Sequence, residues 1–102
     1  MKNILVIDDE IDICNNIKAI LVDEGFDVQI AHNSDDAFNY INSNSYNLII
    51  LDVWLDNSKH DGLEILKKIR KNKTTPIIVI SGHGNIDMAV SAIKDGANEF
   101  IE

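Results

Sequence analysis

The sequence predicts an α/β domain in which an open sheet of five parallel strands carries helices on both faces. Two observations lead to this fold class. Short apolar runs alternate with longer stretches whose apolar residues recur at helical spacing, which indicates strand–helix–strand units with right-handed crossovers. Three of the apolar runs, residues 4–7, 48–51 and 77–80, contain no polar residue, which is typical of parallel strands buried on both sides.

The size and composition suit a single globular domain. The chain has 102 residues, of which 45% are apolar and 25% are charged, and this mixture separates it from disordered proteins. Its formal net charge of −8 argues against nucleic acid or an anionic membrane as a direct partner. The single cysteine, Cys14, excludes an internal disulfide bond and favours a reducing, cytoplasmic location. No apolar run approaches the ~20 residues of a membrane span, so we expect no association with a membrane.

The first half of the chain predicts three strands and two helices. The first strand covers residues 4–7, and the helix after it ends near Gly25. The apolar stripe of this helix consists of Ile11, Cys14, Ile17, Ile20 and Leu21. Alternating residues 26–31 predict the second strand, and Ser34 is a candidate N-cap for the second helix. That helix is expected to bury Ala37, Phe38 and Ile41.

The second half repeats the pattern. Residues 48–51 form the third strand, and the third helix carries Leu63, Ile65, Leu66 and Ile69. Pro76 opens the fourth strand, a position at which proline is tolerated. The fourth helix should start at Gly84 or Asn85 and stop at Gly96, before a fifth strand from Glu99 to Ile101. Five strands with four helices leave part of one sheet face uncovered. We therefore expect residues 1–102 to be a C-terminally truncated domain whose last helix is absent from the chain.

Acidic and hydroxyl side chains follow three of these strands. Asp8 and Asp9 come after the first strand, Asp52 after the third and Ser81 after the fourth, so all of them should meet at one sheet edge. Close carboxylates repel by roughly a few kcal/mol per pair at an effective dielectric of ~20. A Mg²⁺ ion would relieve this repulsion and let a phosphoryl group approach a carboxylate. The alternative for Asp8 and Asp9 is a solvated loop whose acids favour the start of a helix.

Five stretches give the whole chain a resemblance to the receiver domain of bacterial two-component response regulators. They read LVIDDE, LIILDVWL, DGLEIL, PIIVISGHG and AIKDGANEFIE. The resemblance implies a flavodoxin-like (CheY-like) fold with strand order 2-1-3-4-5. It implies that Asp52 is the phosphoacceptor, which takes a phosphoryl group from a phosphohistidine of a sensor histidine kinase. It also implies that Asp9 and Asp52 bind Mg²⁺ directly, Asp8 through water and Trp54 through its backbone carbonyl.

The same resemblance gives roles to residues farther along the chain. Ser81 would hydrogen-bond the phosphoryl group, and its movement would couple to Phe100 at the aromatic switch position. Trp54 is expected either to overhang the rim of the site or to be an exposed loop residue. His83 is expected at the rim and not as a ligand, because Mg²⁺ prefers oxygen ligands to imidazole. By contrast, His32 is expected at the surface.

The stretch SGHGNIDMAVSAIKDGANEFIE, together with the long loop VWLDNSKHDG, narrows the resemblance. Both are similar to NtrC-like transcriptional activators, and particularly to the NtrX type of nitrogen regulators. This similarity implies an NtrY-like sensor kinase and a homodimer formed through the receiver. It also implies DNA binding only through output domains absent from this chain.

Several alternatives remain open. In the family, a lysine follows the fifth strand, and here it would come directly after Glu102. Phosphorylation of this chain alone should therefore be impaired. One alternative is thus an interaction domain that works without phosphorylation. A haloacid-dehalogenase-like phosphatase would use Asp8 as its nucleophile, but its Asp-x-Asp motif matches poorly. A dinucleotide-binding module would need glycines in the first strand–helix turn. We expect a phosphoacceptor that dephosphorylates itself rather than a turnover enzyme.

Overall fold

Strands and helices alternate along the part of the chain that the computed structural model describes, which comprises residues 2–52, 62–81 and 86–101. The elements are β1 (Asn3–Ile7), α1 (Ile11–Asp23), β2 (Asp27–Ala31), α2 (Ser34–Ser43), β3 (Leu48–Asp52), α3 (Gly62–Asn72), β4 (Ile77–Ile80), α4 (Ile86–Lys94) and β5 (Glu99–Ile101). The strands are parallel and lie in the order β2-β1-β3-β4-β5. The predicted fold class and strand order are therefore confirmed.

The apolar strands β1 and β3 each contribute side chains to two separate cores, whereas β4 contributes to the larger core alone. In β1, Leu5 and Ile7 point to one side and Ile4 and Val6 to the other, as the two-residue period of a strand requires. The larger core lies beneath α2, α3 and α4. Its helical members are Ala37, Ile41, Ile65, Leu66, Ile69 and Ala92. This side of the sheet holds most of the buried apolar residues in the described part of the chain.

The smaller core lies beneath α1 and corrects one prediction. Of the apolar stripe predicted for α1, only Cys14 is buried, whereas Ile11 is 61% exposed and Ile20 is 65% exposed. In the described part of the chain, α1 is the helix that packs on this core, so the flanks of its stripe meet no further layer. The helical period correctly identified the element but overestimated its buried face.

The start of α2 corrects a second prediction. Asn33, rather than Ser34, is the N-cap: its backbone is extended and its side-chain oxygen accepts a hydrogen bond from the Asp36 amide at 2.8 Å. Ser34 is the first helical residue and is buried. Both residue types are good caps, and the backbone conformation decides between them. The predicted start of α4 at Gly84 or Asn85 lies outside the described residues.

Arg70, near the end of α3, joins three segments at the amino ends of the strands. Its Nε donates to the carbonyl of Gly96 at 2.8 Å, and Nη1 donates to the carbonyl of Thr75 at 2.6 Å. Its Nη2 donates to Oδ1 of Asn98 at 2.8 Å, and the same oxygen accepts from the Ile77 amide at 2.9 Å. We call this set of contacts the Arg70 network. It fixes the turn between α4 and β5 against the start of β4.

None of the helices in the described ranges is long and apolar enough to cross a lipid bilayer.

Candidate functional site

Strand register places the predicted acidic residues at one edge of the sheet. Ile7, the last residue of β1, pairs with Leu51, so Asp8 follows β1 beside Asp52 at the end of β3. Asp52 in turn pairs with Ile80, and Ser81 comes directly after it. Because the strands are parallel, these residues lie at the carboxyl edge, where ligands bind in open α/β sheets.

Three carboxylates meet at this edge. Carboxylate oxygens of Asp8, Asp9 and Asp52 all lie within 4.8 Å of one another, and we call these residues the acidic cluster. Asp8 is only 2% exposed, while the other two are half-buried. Oxygen donors of this kind suit a hard divalent cation, which could contact them directly or through water. The acidic cluster therefore could hold a metal ion.

The electrostatics of Asp8 are consistent with such a site. Burial raises the pKa of the Asp8 carboxyl above its ordinary value, and the charge of Asp9 adds to the effect. A hydrogen bond from the Glu10 amide at 2.9 Å and an interaction with Asp52 partly oppose the shift. Without a cation, the ionised form of Asp8 is thus disfavoured in the folded protein. A bound cation would remove that penalty.

The raised pKa of Asp8 predicts how stability depends on pH when no metal ion is present. The folded state holds this proton more tightly than the unfolded chain, whose pKa is about the ordinary 3.8. The resulting stabilisation is complete below that value and is lost as the pH rises through the folded pKa. An Asp8→Asn substitution should remove this loss and raise the free energy of unfolding at pH 7 by about 1 kcal/mol.

Urea unfolding between pH 3 and pH 8, with and without Mg²⁺, checks this expectation. Asparagine keeps an oxygen that can accept the Glu10 hydrogen bond, so the comparison isolates the charge. Asp27→Asn is the matched control, because Asp27 is exposed at the start of β2 and its loss changes the net charge equally. An Asp8→Asn chain as pH-dependent as the parent would contradict the expectation.

Ser81 lies directly after β4, and Phe100 lies in β5. Ser81 is 3% exposed, and its amide donates to the carbonyl of Ile101 at 3.0 Å. Phe100 pairs with Val79 in the sheet register and packs against the larger core. Ser81 therefore stands next to the acidic cluster, whereas Phe100 lies two rows farther back. Trp54 and His83, also predicted for this site, lie outside the described residues.

Sequence reasoning missed two side chains that support the acidic cluster. His32 was expected at the surface, but it is half-buried, and its Nδ1 lies 3.0 Å from the backbone carbonyl oxygen of Asp8. The Sγ atom of Cys14, correctly predicted as a residue of the protein interior, lies 3.3 Å from the same oxygen. His32 is 24 positions from Asp8 and 18 from Cys14 along the chain, so no local spacing pattern could have revealed its contact.

Comparisons with known proteins agree with one another. The model of the response regulator receiver domain family matches residues 4–102. The nitrogen assimilation regulatory protein NtrX of Azorhizobium caulinodans is 48% identical over 101 residues, which are 98% of this chain and 22% of that protein. The chain thus spans about a fifth of the length of this curated relative.

Solved structures show the same similarity. The crystal structure of the receiver domain of NtrX from Brucella abortus superposes with a TM-score of 0.90 at 47% identity, covering 97% of this chain and 83% of that one. A response regulator from Burkholderia pseudomallei, whose structure contains a phosphorylated aspartic acid, a calcium ion and citrate, gives a TM-score of 0.92 at 31% identity. That match covers 99% of this chain and 59% of the other.

Proposed function

Because the chain belongs to the response regulator receiver domain family, we propose that Asp52 is the phosphoacceptor of a two-component signalling pathway. The observation that carries this assignment is the acidic cluster. Asp52 ends the third strand at the carboxyl edge, with the carboxylates of Asp8 and Asp9 within 4.8 Å. The phosphorylated aspartic acid and the calcium ion in the Burkholderia pseudomallei regulator support the same chemistry.

We assign Mg²⁺ as the cation of this site. Asp9 and Asp52 would bind it directly, Asp8 through water, and Trp54 through its backbone carbonyl. When bound, the ion supplies the positive charge that lets an anionic phosphoryl group approach a carboxylate. The oxygen donors of the acidic cluster and the raised pKa of Asp8 support this choice.

The residues of the chain then act in sequence. A carboxylate oxygen of Asp52 attacks the phosphorus of a phosphohistidine, and the phosphorus–nitrogen bond breaks. Its electron pair leaves with the imidazole of the kinase, which takes up a proton. The hydroxyl of Ser81 donates a hydrogen bond to the phosphoryl group, and Phe100 responds to the position of Ser81. Water later hydrolyses the acyl phosphate and regenerates the Asp52 carboxylate. We take the domain to be a self-phosphorylating and self-dephosphorylating switch, whose product is the phosphorylated state itself, rather than a turnover enzyme.

The partners follow from the same resemblance and from the similarity to NtrX. We propose that an NtrY-like sensor histidine kinase donates the phosphoryl group and that the receiver forms a homodimer. DNA would be contacted only through output domains outside this chain, which suits its net charge of −8. The buried free thiol of Cys14 suits a reducing cytoplasm.

Phosphorylation by a small phosphodonor tests the assignment. The chain is incubated with acetyl phosphate and Mg²⁺, and the modified residue is identified by mass spectrometry after the acyl phosphate is trapped. A second version, with a lysine added after Glu102 as the resemblance implies, is treated in parallel. We expect one phosphoryl group on Asp52 that requires Mg²⁺, with faster incorporation in the extended version.

Each other outcome identifies a different function. A phosphoryl group on Asp8 would support the phosphatase alternative, since that class uses the first-strand aspartate. No incorporation in either version, despite measurable Mg²⁺ binding, would support an interaction domain that works without phosphorylation.

A further inference from the structure

The backbone carbonyl of Asp8 is contacted by two side chains from different parts of the fold. Nδ1 of His32, directly after β2, lies 3.0 Å from the carbonyl oxygen, and Sγ of Cys14, in α1, lies 3.3 Å from it. The two side-chain atoms are 3.9 Å apart, so they approach the same acceptor next to each other. A carbonyl oxygen has two lone pairs, so it can accept both hydrogen bonds at once.

The chemistry of the acceptor determines which atoms carry protons. The Asp8 carbonyl has no proton to donate, so Nδ1 of His32 must carry the hydrogen, whether the imidazole is neutral or charged. Burial, followed by the neighbouring carboxylates, raises the pKa of the Cys14 thiol to about 11. The thiol is therefore protonated at neutral pH and is also a donor, though a weak one.

The remaining polar groups of Asp8 are fixed as well. Its amide donates to the carbonyl of Ala31 at 3.0 Å, and its side chain accepts from the amide of Glu10 at 2.9 Å. Among the described hydrogen bonds, the carbonyl of Asp8 accepts only from these two side chains. Without them, this main-chain group would have no described partner. The peptide that joins Asp8 to Asp9 contains this carbonyl, so its orientation affects both carboxylates.

We propose that His32 is a positioning residue for the metal site. Its Nδ1–H, assisted by the Cys14 thiol, fixes the Asp8–Asp9 peptide so that both carboxylates face Asp52. This inference rests on the proposed Mg²⁺ site, because it assigns His32 a role in building that site. His32 itself does not touch the metal ion or the phosphoryl group.

Two substitutions at one position separate this role from a general need for a polar residue. In His32→Asn, the side-chain amide can occupy the place of Nδ1 and donate to the Asp8 carbonyl. In His32→Gln, the amide lies one carbon farther out, nearer the place of Nε2. Replacing residues that orient metal ligands typically costs 10–100-fold in metal affinity. We expect His32→Gln to weaken Mg²⁺ binding about tenfold and His32→Asn to change it less than about threefold.

Calorimetric titration with Mg²⁺ measures the affinities, and urea unfolding without Mg²⁺ confirms that each variant is folded. An NMR spectrum of the metal-free parent gives an independent readout, because it should show His32 protonated at Nδ1. If the parent binds Mg²⁺ and both variants bind it equally well, or both are equally weakened, the positioning role is wrong but the metal site stands. If metal-free His32 lacks the Nδ1 proton, the inference fails without any reference to metal. A parent that binds no Mg²⁺ overturns the proposed site and this inference together.

Discussion

An Asp52→Asn chain is expected to take up no phosphoryl group and yet to be more stable than the parent without Mg²⁺. The neutral amide removes the carboxylate that we propose as the nucleophile, so incorporation from acetyl phosphate should fall to background. It also removes one of three carboxyl groups whose oxygens lie within 4.8 Å of one another and repel when they are ionised. Relief of this repulsion should raise the free energy of unfolding at pH 7 by about 1 kcal/mol, in line with other functional sites that cost stability.

Mass spectrometry and urea unfolding measure the two effects on the same protein. Asp27→Asn again serves as the control, since it changes net charge at an exposed position at the opposite end of the strands. It should leave incorporation and stability nearly unchanged. Incorporation into Asp52→Asn at the parent's rate would show that another residue accepts the phosphoryl group. A loss of stability would show that Asp52 holds the fold together rather than straining it.

The second large effect is expected at the other end of the sheet, in the Arg70 network. An Arg70→Met substitution keeps part of the aliphatic stem but removes the hydrogen bonds that the Arg70 guanidinium donates to the carbonyls of Thr75 and Gly96 and to the Asn98 side chain. Partly buried acceptors then lose charged partners, which should lower the free energy of unfolding by about 2–4 kcal/mol. Lysine should not restore it, because one ammonium group cannot reproduce the fork of donors.

Lys71→Met is the matched control, because it removes the same charge from an exposed neighbour in the last turn of α3. A further pair of variants tests the geometry. Gly25 and Gly96 both have positive φ, at 94° and 115°, so alanine is strained at either position. Only at Gly96 would the added Cβ also meet Arg70, 2.5 Å from its Cγ. Gly96→Ala should therefore be the more destabilising of the two, and equal losses would contradict the tight packing inferred there.

The sequence was informative where structure follows from local pattern. Fully apolar runs identified the buried strands, and the parallel topology alone was enough to expect Asp8 and Asp52 at the same edge. The choice between Asn33 and Ser34 as a cap could not be made, because both side chains can accept the same hydrogen bond. The exposure of Ile11 and Ile20 depends on what packs over α1, which helical periodicity does not report.

Contacts between distant segments were beyond prediction for a different reason. Arg70 and Gly96 are 26 positions apart, and His32 is 24 positions from Asp8. A charged residue on an amphipathic helix and a histidine after a strand are both common, so neither residue type indicates a partner. Only the assembled sheet shows that one side chain secures a turn and the other supports the acidic cluster.

The Arg70 network and the acidic cluster lie at opposite ends of strands of four or five residues, roughly 13–17 Å apart. At such a separation, substitutions act independently. The contacts that stabilise the fold and the carboxylates that could hold a metal ion thus lie at different ends of the sheet. Substitutions around the acidic cluster could therefore change its affinity for a metal ion, while the Arg70 network continues to stabilise the fold.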